Sequence, residues 1–450
     1  MLLRFTVENL FCFAEETVFS MVATADEQHP EHKHELREGY PHKALRIAAL
    51  YGANAHGKSK LVEAMAFARK LILDRRGPKQ RIAVNPYRLD AAKRGQPSRC
   101  EFVFFHENVE YTYGFLVDQE RVIEEWLFAR VDEEEQSYFE RGIDGQDNEP
   151  FIQLGDALKL KEGGNAQRLE FVAQGTRDNQ LFLAKAVDDN VDSLQPVYDW
   201  FDDVLTIVPT NYPIQLIALK AHKDVDFATF MGDFLRLAGT GIDGIVTKED
   251  KIDNPFLDAI RQQAEDRLVK KGWKIAAKQD NPLQMSLFAE EDGDSKAYRL
   301  NTQHYDSQGE PIPFSLEDES SGTLRLIELS PILFALNMDS SNSVFIIDEL
   351  DLRLHPLLSR FYVEAFLKKS QGQTCQLIFT THETSLLNLE LLRRDEIWFV
   401  EKDRKGASQV YSLADFNFKP NPDIKLERGY LHGRFGAIPF IGDMRSLGWM

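Results

Sequence analysis

Gly52-Ala53-Asn54-Ala55-His56-Gly57-Lys58-Ser59 has the G-x-x-x-x-G-K-S spacing of a phosphate-binding loop. The motif needs a strand before it and a helix after it, and both are legible. Leu45-Arg46-Ile47-Ala48-Ala49-Leu50-Tyr51 is a short apolar run that reads as a buried strand. From Lys60 to Leu73 the residues Leu61, Met65, Ala68 and Ile72 recur on one helical face. Strand, glycine loop and helix start would gather backbone N–H groups, and the positive end of the helix dipole, around a polyphosphate. The expected nucleotide-binding set is Gly52, Ala53, Asn54, Ala55, His56, Gly57, Lys58, Ser59 and Lys60. Lys58 would reach the β- and γ-phosphates, and the Ser59 hydroxyl would hold Mg²⁺.

Working outward, 450 residues leave room for two or three domains. A composition 43% hydrophobic and 28% charged implies a folded, soluble protein. The formal net charge of −19 disfavours wrapping nucleic acid over the whole surface, since phosphate neutralisation drives such binding. Cys12, Cys100 and Cys375 are odd in number and far apart, as expected of reduced thiols in a cytosol. The most apolar helical run, from Thr323 to Met338, carries Arg325 and Glu328 and is too short to span a bilayer. Charges interrupt the first residues where a signal-peptide core would lie. A cytoplasmic protein without membrane contact is expected.

Residues 2 to 7 and 17 to 22 read as an opening hairpin, and 99 to 129 as a three-stranded antiparallel meander. Residues 131 to 176 promise weak strands at most. Helical spacing follows from Leu183 to Leu205 with a break at Pro196, from Phe227 to Leu235, and from Phe256 to Val269. Residues 276 to 295 read as a polar, acidic linker. The basic run Arg69, Lys70, Arg75, Arg76, Lys79 and Arg81 either solvates a helix end or forms a patch for DNA, RNA or an acidic partner.

Three further features carry chemistry. Ser343-Val344-Phe345-Ile346-Ile347-Asp348-Glu349 is an apolar strand ending in two carboxylates, the Walker B pattern. Asp348 would hold Mg²⁺ through water, and Glu349 would polarise an attacking water as general base. Glu319-Ser320-Ser321-Gly322-Thr323 opens a helical run with free amides suited to an anion, or with a simple serine cap. Gln376-Leu377-Ile378-Phe379-Thr380-Thr381-His382 is a strand ending in a histidine able to hydrogen-bond a γ-phosphate.

In this order, the motifs resemble those of the ABC-type ATPases, in the soluble branch shared with SMC and recombination-repair ATPases. The resemblance implies two protomers sandwiching two ATP molecules. It implies that Ser321 and Gly322 reach the nucleotide on the partner's phosphate loop, that Asp351 is the D-loop residue, and that His382 is the switch histidine. Glu349, Lys58 and His382 become the expected catalytic residues, with Ser59 and Asp348 on the metal. The position of the family's Q-loop glutamine stays open; the nearest stretch, Asn85-Pro86-Tyr87-Arg88-Leu89-Asp90, has none.

A closer resemblance, spanning nearly the whole chain, is to the AbiL/RloA group, ATPases of two-gene phage-defence systems. It rests on Tyr51 to Ser59, Asn85 to Asp90, Glu319 to Arg325, Leu354-His355-Pro356, and Tyr430-Leu431-His432-Gly433-Arg434-Phe435-Gly436-Ala437-Ile438-Pro439. His56 departs from that group, where a small residue is commoner. The related OLD-type nucleases carry a Toprim domain; the residues after His382 are too few for one. Any toxic effector is therefore expected to be a separate chain.

The expected fold class is α/β, an ABC-type P-loop ATPase head with an antiparallel β subdomain and a helical insertion. Its parts would be an N-terminal lobe (1–150), a mainly helical insertion (151–297), a C-terminal lobe (298–400) and an extension (401–450). The expected function is an ATP- and Mg²⁺-dependent switch that dimerises, senses a trigger and controls an effector in abortive-infection-like phage defence. The alternatives are a DNA-repair or chromosome-maintenance ATPase, a scaffold with a degenerate site, and, least, a transporter subunit. Gln284-Met285-Ser286-Leu287-Phe288 also looks like the peptide that docks on a bacterial sliding clamp, unless Leu287 and Phe288 pin the linker to its own helical domain.

Overall fold

The computed structural model describes residues 1–131, 134–144, 150–163, 166–210, 215–251, 273–275, 287–291, 294–337, 342–417 and 426–439. It divides into two compact units, Met1–Pro209 with Ser340–Leu350 and Ser370–Met450, and Thr210–Asp339 with Asp351–Lys369.

The strand Ile47–Tyr51, buried at every residue, lies inside a sheet of the first unit. Its order is Leu205–Val208, Asn342–Ile347, Thr374–Thr380, Ile47–Tyr51, Ile397–Lys402 and Ser408–Ser412. All neighbours run parallel except the last pair. Parallel strands are covered on both faces, which explains unbroken apolar runs such as Val344-Phe345-Ile346-Ile347. The register pairs Ile347 with Phe379 and Thr380 with Leu50. Three strand ends therefore emerge side by side, where ligands of open α/β sheets bind.

The other large sheet of this unit is antiparallel, in the order Pro150–Leu154, Glu134–Ile143, Val122–Val131, Val109–Val117, Ser98–His106, Leu2–Glu8 and Thr17–Ser20. The predicted hairpin and meander are thus parts of one sheet. Glu134–Ile143 is a full strand, correcting the weak-strand expectation for that region. Its adjacent Tyr138 and Phe139 are both buried, along with Arg141, so no two-residue alternation marked it as a strand among the acidic residues around it. The helix Lys58–Leu73 buries Leu61, Met65, Ala68 and Ile72 in a core shared with Phe5, Phe102 and Trp200. The run from Leu183 to Leu205 breaks as expected around Pro196, into Phe182–Asp188, Gln195–Asp199 and a π-turn at Trp200–Val204. Leu205 then begins a strand instead of ending a helix.

In the second unit, Gly244–Lys251, Asp294–Tyr305, Leu287–Glu291 and Trp273–Ile275 form an antiparallel sheet, with Pro311–Ser315 added along Asp294–Tyr305. Helices Val225–Leu237, Ser321–Ala335 and Pro356–Lys369 pack through Phe227 on Phe334 at 5.0 Å and Phe234 on Phe361 at 5.9 Å.

These units correct the predicted boundaries. Residues 151–209 group with the first unit, the insertion carries a sheet as well as helices, and a cut after 400 falls inside the strand Ile397–Lys402. Short β-rich runs among acids and lysines gave too little periodicity to separate strand from linker. The predicted helix from Phe256 to Val269, linker residues 276–286, and Gln284, Met285 and Ser286 lie outside the described residues. Leu287 and Phe288 are strand residues paired with Tyr298 and Ala297, which corrects the linker reading there.

Candidate functional site

The phosphate loop is shaped by what its glycines allow. A Cβ on Gly52 would stand 2.4 Å from the Val400 carbonyl oxygen, so no side chain fits between loop and strand. Gly57 has φ +114, and a Cβ there would lie 2.7 Å from Ser408 Oγ and 2.9 Å from Cys12 Sγ. Ser408 Oγ donates to the His56 carbonyl at 2.6 Å, tying the loop to the strand Ser408–Ser412. Lys58 is buried, and its ammonium donates to the carbonyls of Gly52 at 2.7 Å and Ala53 at 3.3 Å. Phosphate oxygens can replace those carbonyls as acceptors, and the first amides of Lys58–Leu73 point the same way.

A cleft of about 880 Å³ opens here. Ala53, Asn54, Ala55, Gly57, Lys58, Ser59 and Lys60 line it, together with Glu349 and His382. The sequence separated these groups by hundreds of residues; the parallel sheet brings them together. Lys58, Lys60, Arg88 and Lys402 face the two carboxylates Glu63 and Glu349 around its wall, a balance suited to an anion. The His56 ring lies near Val400, Glu401 and Lys402, and burial holds its pKa below the usual histidine value, so it is neutral at pH 7.

Behind Glu349 stands a residue that motif reading passed over. Thr380 Oγ1 donates to Asp348 Oδ1 at 2.7 Å and accepts from the Glu349 amide at 2.7 Å. One buried hydroxyl therefore fixes both carboxylate residues. Glu349 itself sits at φ 50, a left-handed conformation that costs a non-glycine residue on the order of 1 kcal/mol. That twist turns its carboxylate out of the strand, into the cleft wall. The signal was present in Thr380-Thr381-His382, but nothing local said which threonine faced Asp348.

The rim is partly the stretch where the sequence was searched for a Q-loop glutamine. Asn85, Pro86, Tyr87, Arg88 and Leu89 line the cleft, as do Phe11 and Cys12. The Asn9 carboxamide accepts from the Tyr87 amide at 3.2 Å, and the Phe11 amide donates to the Asn85 carbonyl at 2.8 Å. Both Asn9 and Phe11 have positive φ, a tight turn that clamps the rim. The C-terminal motif stacks Tyr430 and Phe435 on Phe399 at 5.6 and 5.8 Å, supporting the strand that flanks the phosphate loop.

Ser321, Gly322 and Asp351 belong to the second unit. Ser320 caps the helix Ser321–Ala335 by accepting from the Thr323 amide at 3.1 Å, which leaves Ser321 exposed in its first turn. A Cβ on Gly322 would sit 2.9 Å from the Arg353 carbonyl, so the helix Ser321–Ala335 closely abuts the turn after Asp351.

The basic run divides. Arg69 donates to the carbonyls of Phe201 at 2.7 Å and Asp202 at 3.0 Å. Arg75 pairs with Asp188 at 2.6 Å, and buried Arg76 donates to the Arg81 carbonyl at 2.9 Å and reaches Asp74 at 3.4 Å. Lys70 and Lys79 are exposed, and Arg81 stands 3.9 Å from Glu120.

A family model described as "AAA domain, putative AbiEii toxin, Type IV TA system" matches residues 47–388, three quarters of the chain. The chain belongs to that family. It is therefore a P-loop NTPase of the AAA/ABC type, a family that generally uses ATP and Mg²⁺, and its fold is the expected α/β class. No curated protein matches the sequence. Among solved structures it is similar to the SMC head domain from Thermotoga maritima at 12% identity, TM-score 0.38, covering 91% of this chain and 98% of that one. An SmcHead bound to the C-winged helix domain of ScpA matches at 13% identity, TM-score 0.38, over 91% and 97%. No helix among the described residues is long and apolar enough to cross a membrane.

Proposed function

We propose that the protein is an ATP-hydrolysing conformational switch, the ATPase component of an abortive-infection-like phage-defence system acting through a separate toxic effector. The observation that carries the ATPase reading is the Thr380 hydroxyl, which fixes Asp348 and Glu349 where Lys58, Ser59 and His382 line the same cleft. The defence reading is supported by the family description, which names a toxin of a type IV system, and by the resemblance to the AbiL/RloA group.

The residues divide the work by charge. Lys58 exchanges its two carbonyl acceptors for phosphate oxygens, and the loop amides bind the rest of the polyphosphate. Glu349 takes a proton from the attacking water, its carboxylate aimed by the left-handed backbone. His382 donates to the terminal phosphate. Ser59 and Asp348 would hold Mg²⁺, whose positive charge offsets that of the phosphates. Ser321, Gly322 and Asp351 act on the nucleotide of a second copy, so binding dimerises the protein and hydrolysis releases it. The protein works in the cytoplasm.

Glu349→Gln tests the base: it should bind ATP, hydrolyse it at least about a hundredfold more slowly, and elute as an ATP-bound dimer. Wild-type turnover by this variant rejects the assignment. Ser321→Arg tests the shared site. Alone it should lack hydrolysis while its protomers bind ATP. Mixed with Lys58→Ala protein it should regain some activity, because both lesions can fall in one composite site. No recovery in confirmed heterodimers rejects the sandwich.

A further inference from the structure

His29-Pro30-Glu31-His32 forms a single 3₁₀ turn in the first unit, Pro30–His32 with His29 as its cap. In such a turn side chains three apart eclipse, and the His29 and His32 rings do stack, with centroids 4.8 Å apart at 15°. The outer nitrogen of each ring is held by an acceptor. His29 Nε2 lies 2.8 Å from the Leu389 carbonyl oxygen, which can only accept, so that nitrogen carries the proton. His32 Nδ1 lies 3.1 Å from both oxygens of the buried Glu396 carboxylate, so with Glu396 ionised the proton is there. The remaining nitrogens, His29 Nδ1 and His32 Nε2, then present lone pairs toward Glu31 Oε1, at 3.4 and 3.8 Å.

Two lone pairs and a carboxylate oxygen thus converge, with all three atoms within 4.8 Å of one another. With those tautomers three acceptor atoms face one another, and either a bound cation or a proton on His29 Nδ1 shared with Glu31 satisfies them. We infer that this turn binds a divalent transition-metal ion, Zn²⁺ by its donor set: His29 Nδ1, His32 Nε2 and Glu31 as ligands. Imidazole with one carboxylate suits Zn²⁺ over the oxygen-seeking Mg²⁺ and Ca²⁺. Tetrahedral Zn–N and Zn–O bonds of about 2.0–2.1 Å put neighbouring ligand atoms about 3.4 Å apart, close to two of the separations here. Glu396 and the Leu389 carbonyl are the outer acceptors that orient metal-bound histidines and raise their basicity. Glu31 is exposed and His29 half-buried, so the fourth position opens to water.

The site is separate from the nucleotide cleft, whose lining includes none of residues 29–32. Leu389 and Glu396 precede the strand Ile397–Lys402, whose Val400 carbonyl packs on Gly52. The hydrogen bonds of His29 to Leu389 and of His32 to Glu396 tie residues 29–32 to that approach, and a bound metal would fix the two rings that make them. Nothing in the nucleotide-switch reading depends on it.

The test uses the full chain, stripped with EDTA and titrated with Zn²⁺ by calorimetry, and with Co²⁺ by visible absorption. One Zn²⁺ should bind per chain with Kd of about 1 μM or tighter, and the bound protein should melt several degrees higher. Glu31→Gln alters an exposed side chain and should weaken binding at least about tenfold, leaving the metal-free melting temperature unchanged. His29→Asn should weaken binding likewise. Co²⁺ should give the intense visible bands of a four-coordinate site. The proposal is overturned if the wild type takes up no Zn²⁺ at about 100 μM, or if both variants bind it as tightly as the wild type.

Discussion

The nucleotide cleft and the Arg69–Arg81 stretch both concentrate positive charge, yet their cations meet opposite fates. In the cleft, Lys58 leans on carbonyls of its own loop, acceptors that an incoming phosphate can replace. In the arginine stretch, the guanidinium groups of Arg69, Arg75 and Arg76 are held by protein acceptors, some more than a hundred residues away. The difference is one of exchangeability. A cation satisfied by its own loop can change partners without unfolding anything; one that ties a helix end to a distant segment cannot. This weakens the support for the DNA-directed alternative, which leaned on the basic run.

The comparison breaks if the two kinds of cation respond alike to removal. The largest expected effect is that of Lys58→Ala. Losing a charge-assisted contact to phosphate in a partly enclosed site should weaken ATP binding about 10²–10³-fold, on the order of 3–4 kcal/mol. The nucleotide-free melting temperature should hardly move. Fluorescent-nucleotide titration and thermal denaturation measure the two separately, and a large drop in the second would erase the distinction. Arg76→Ala should invert the pattern. Its side chain is 6% exposed and donates to the Arg81 carbonyl, so its loss should cost about 1–3 kcal/mol of stability. ATP affinity should stay within about twofold.

Thr380→Val sharpens the cleft side of the comparison with a smaller effect. Valine keeps the volume and removes the hydroxyl shared by Asp348 and Glu349. Turnover should fall about tenfold, the worth of one net hydrogen bond or slightly more. ATP binding should persist, since Lys58 and the loop amides are untouched. A kcat equal to wild type would mean that the strand backbone alone positions Glu349.

How much of this was legible follows the same division. The phosphate loop, the Walker B strand and the strand ending at His382 were readable because each is local: a glycine pattern or an apolar run with a polar stop. Their convergence in one cleft followed from the parallel arrangement such motifs imply. Thr380 escaped because its importance lies in a cross-strand register, Thr380 beside the residue after Ile347, which no local pattern encodes. The hold on the rim at Asn85–Leu89 escaped because Asn9 and Phe11 supply it through left-handed turns without glycine. Buried Glu125 was invisible for a related reason: it accepts from the Phe182 and Leu183 amides at 2.6 and 3.0 Å, capping a helix far along the chain. The second unit was read least well, because its strands are interrupted by charge and its sheet has no motif to anchor it.

The smallest expected effect concerns Arg46, an arginine held wholly in the structural manner. Its guanidinium donates to the carbonyls of Ser370 at 2.6 Å, Gln373 at 2.5 Å and Glu31 at 3.2 Å, and to His34 Nδ1 at 3.2 Å. That last acceptor is the only one of the four able to gain a proton. Burial, and then the Arg46 charge, lower the His34 pKa from 6.5 to about 4. The unfolded chain therefore binds a proton that the folded one refuses between those two values, so stability rises with pH across that interval. Above pH 6.5 the contribution is complete; as the pH falls toward 4 it is lost. Melting temperatures in EDTA between pH 7 and pH 5 should decline more steeply for the wild type than for His34→Gln, which keeps an acceptor for Arg46 and cannot titrate. Parallel declines would show that His34 accepts nothing of consequence, and that Arg46 is secured by its three carbonyls alone.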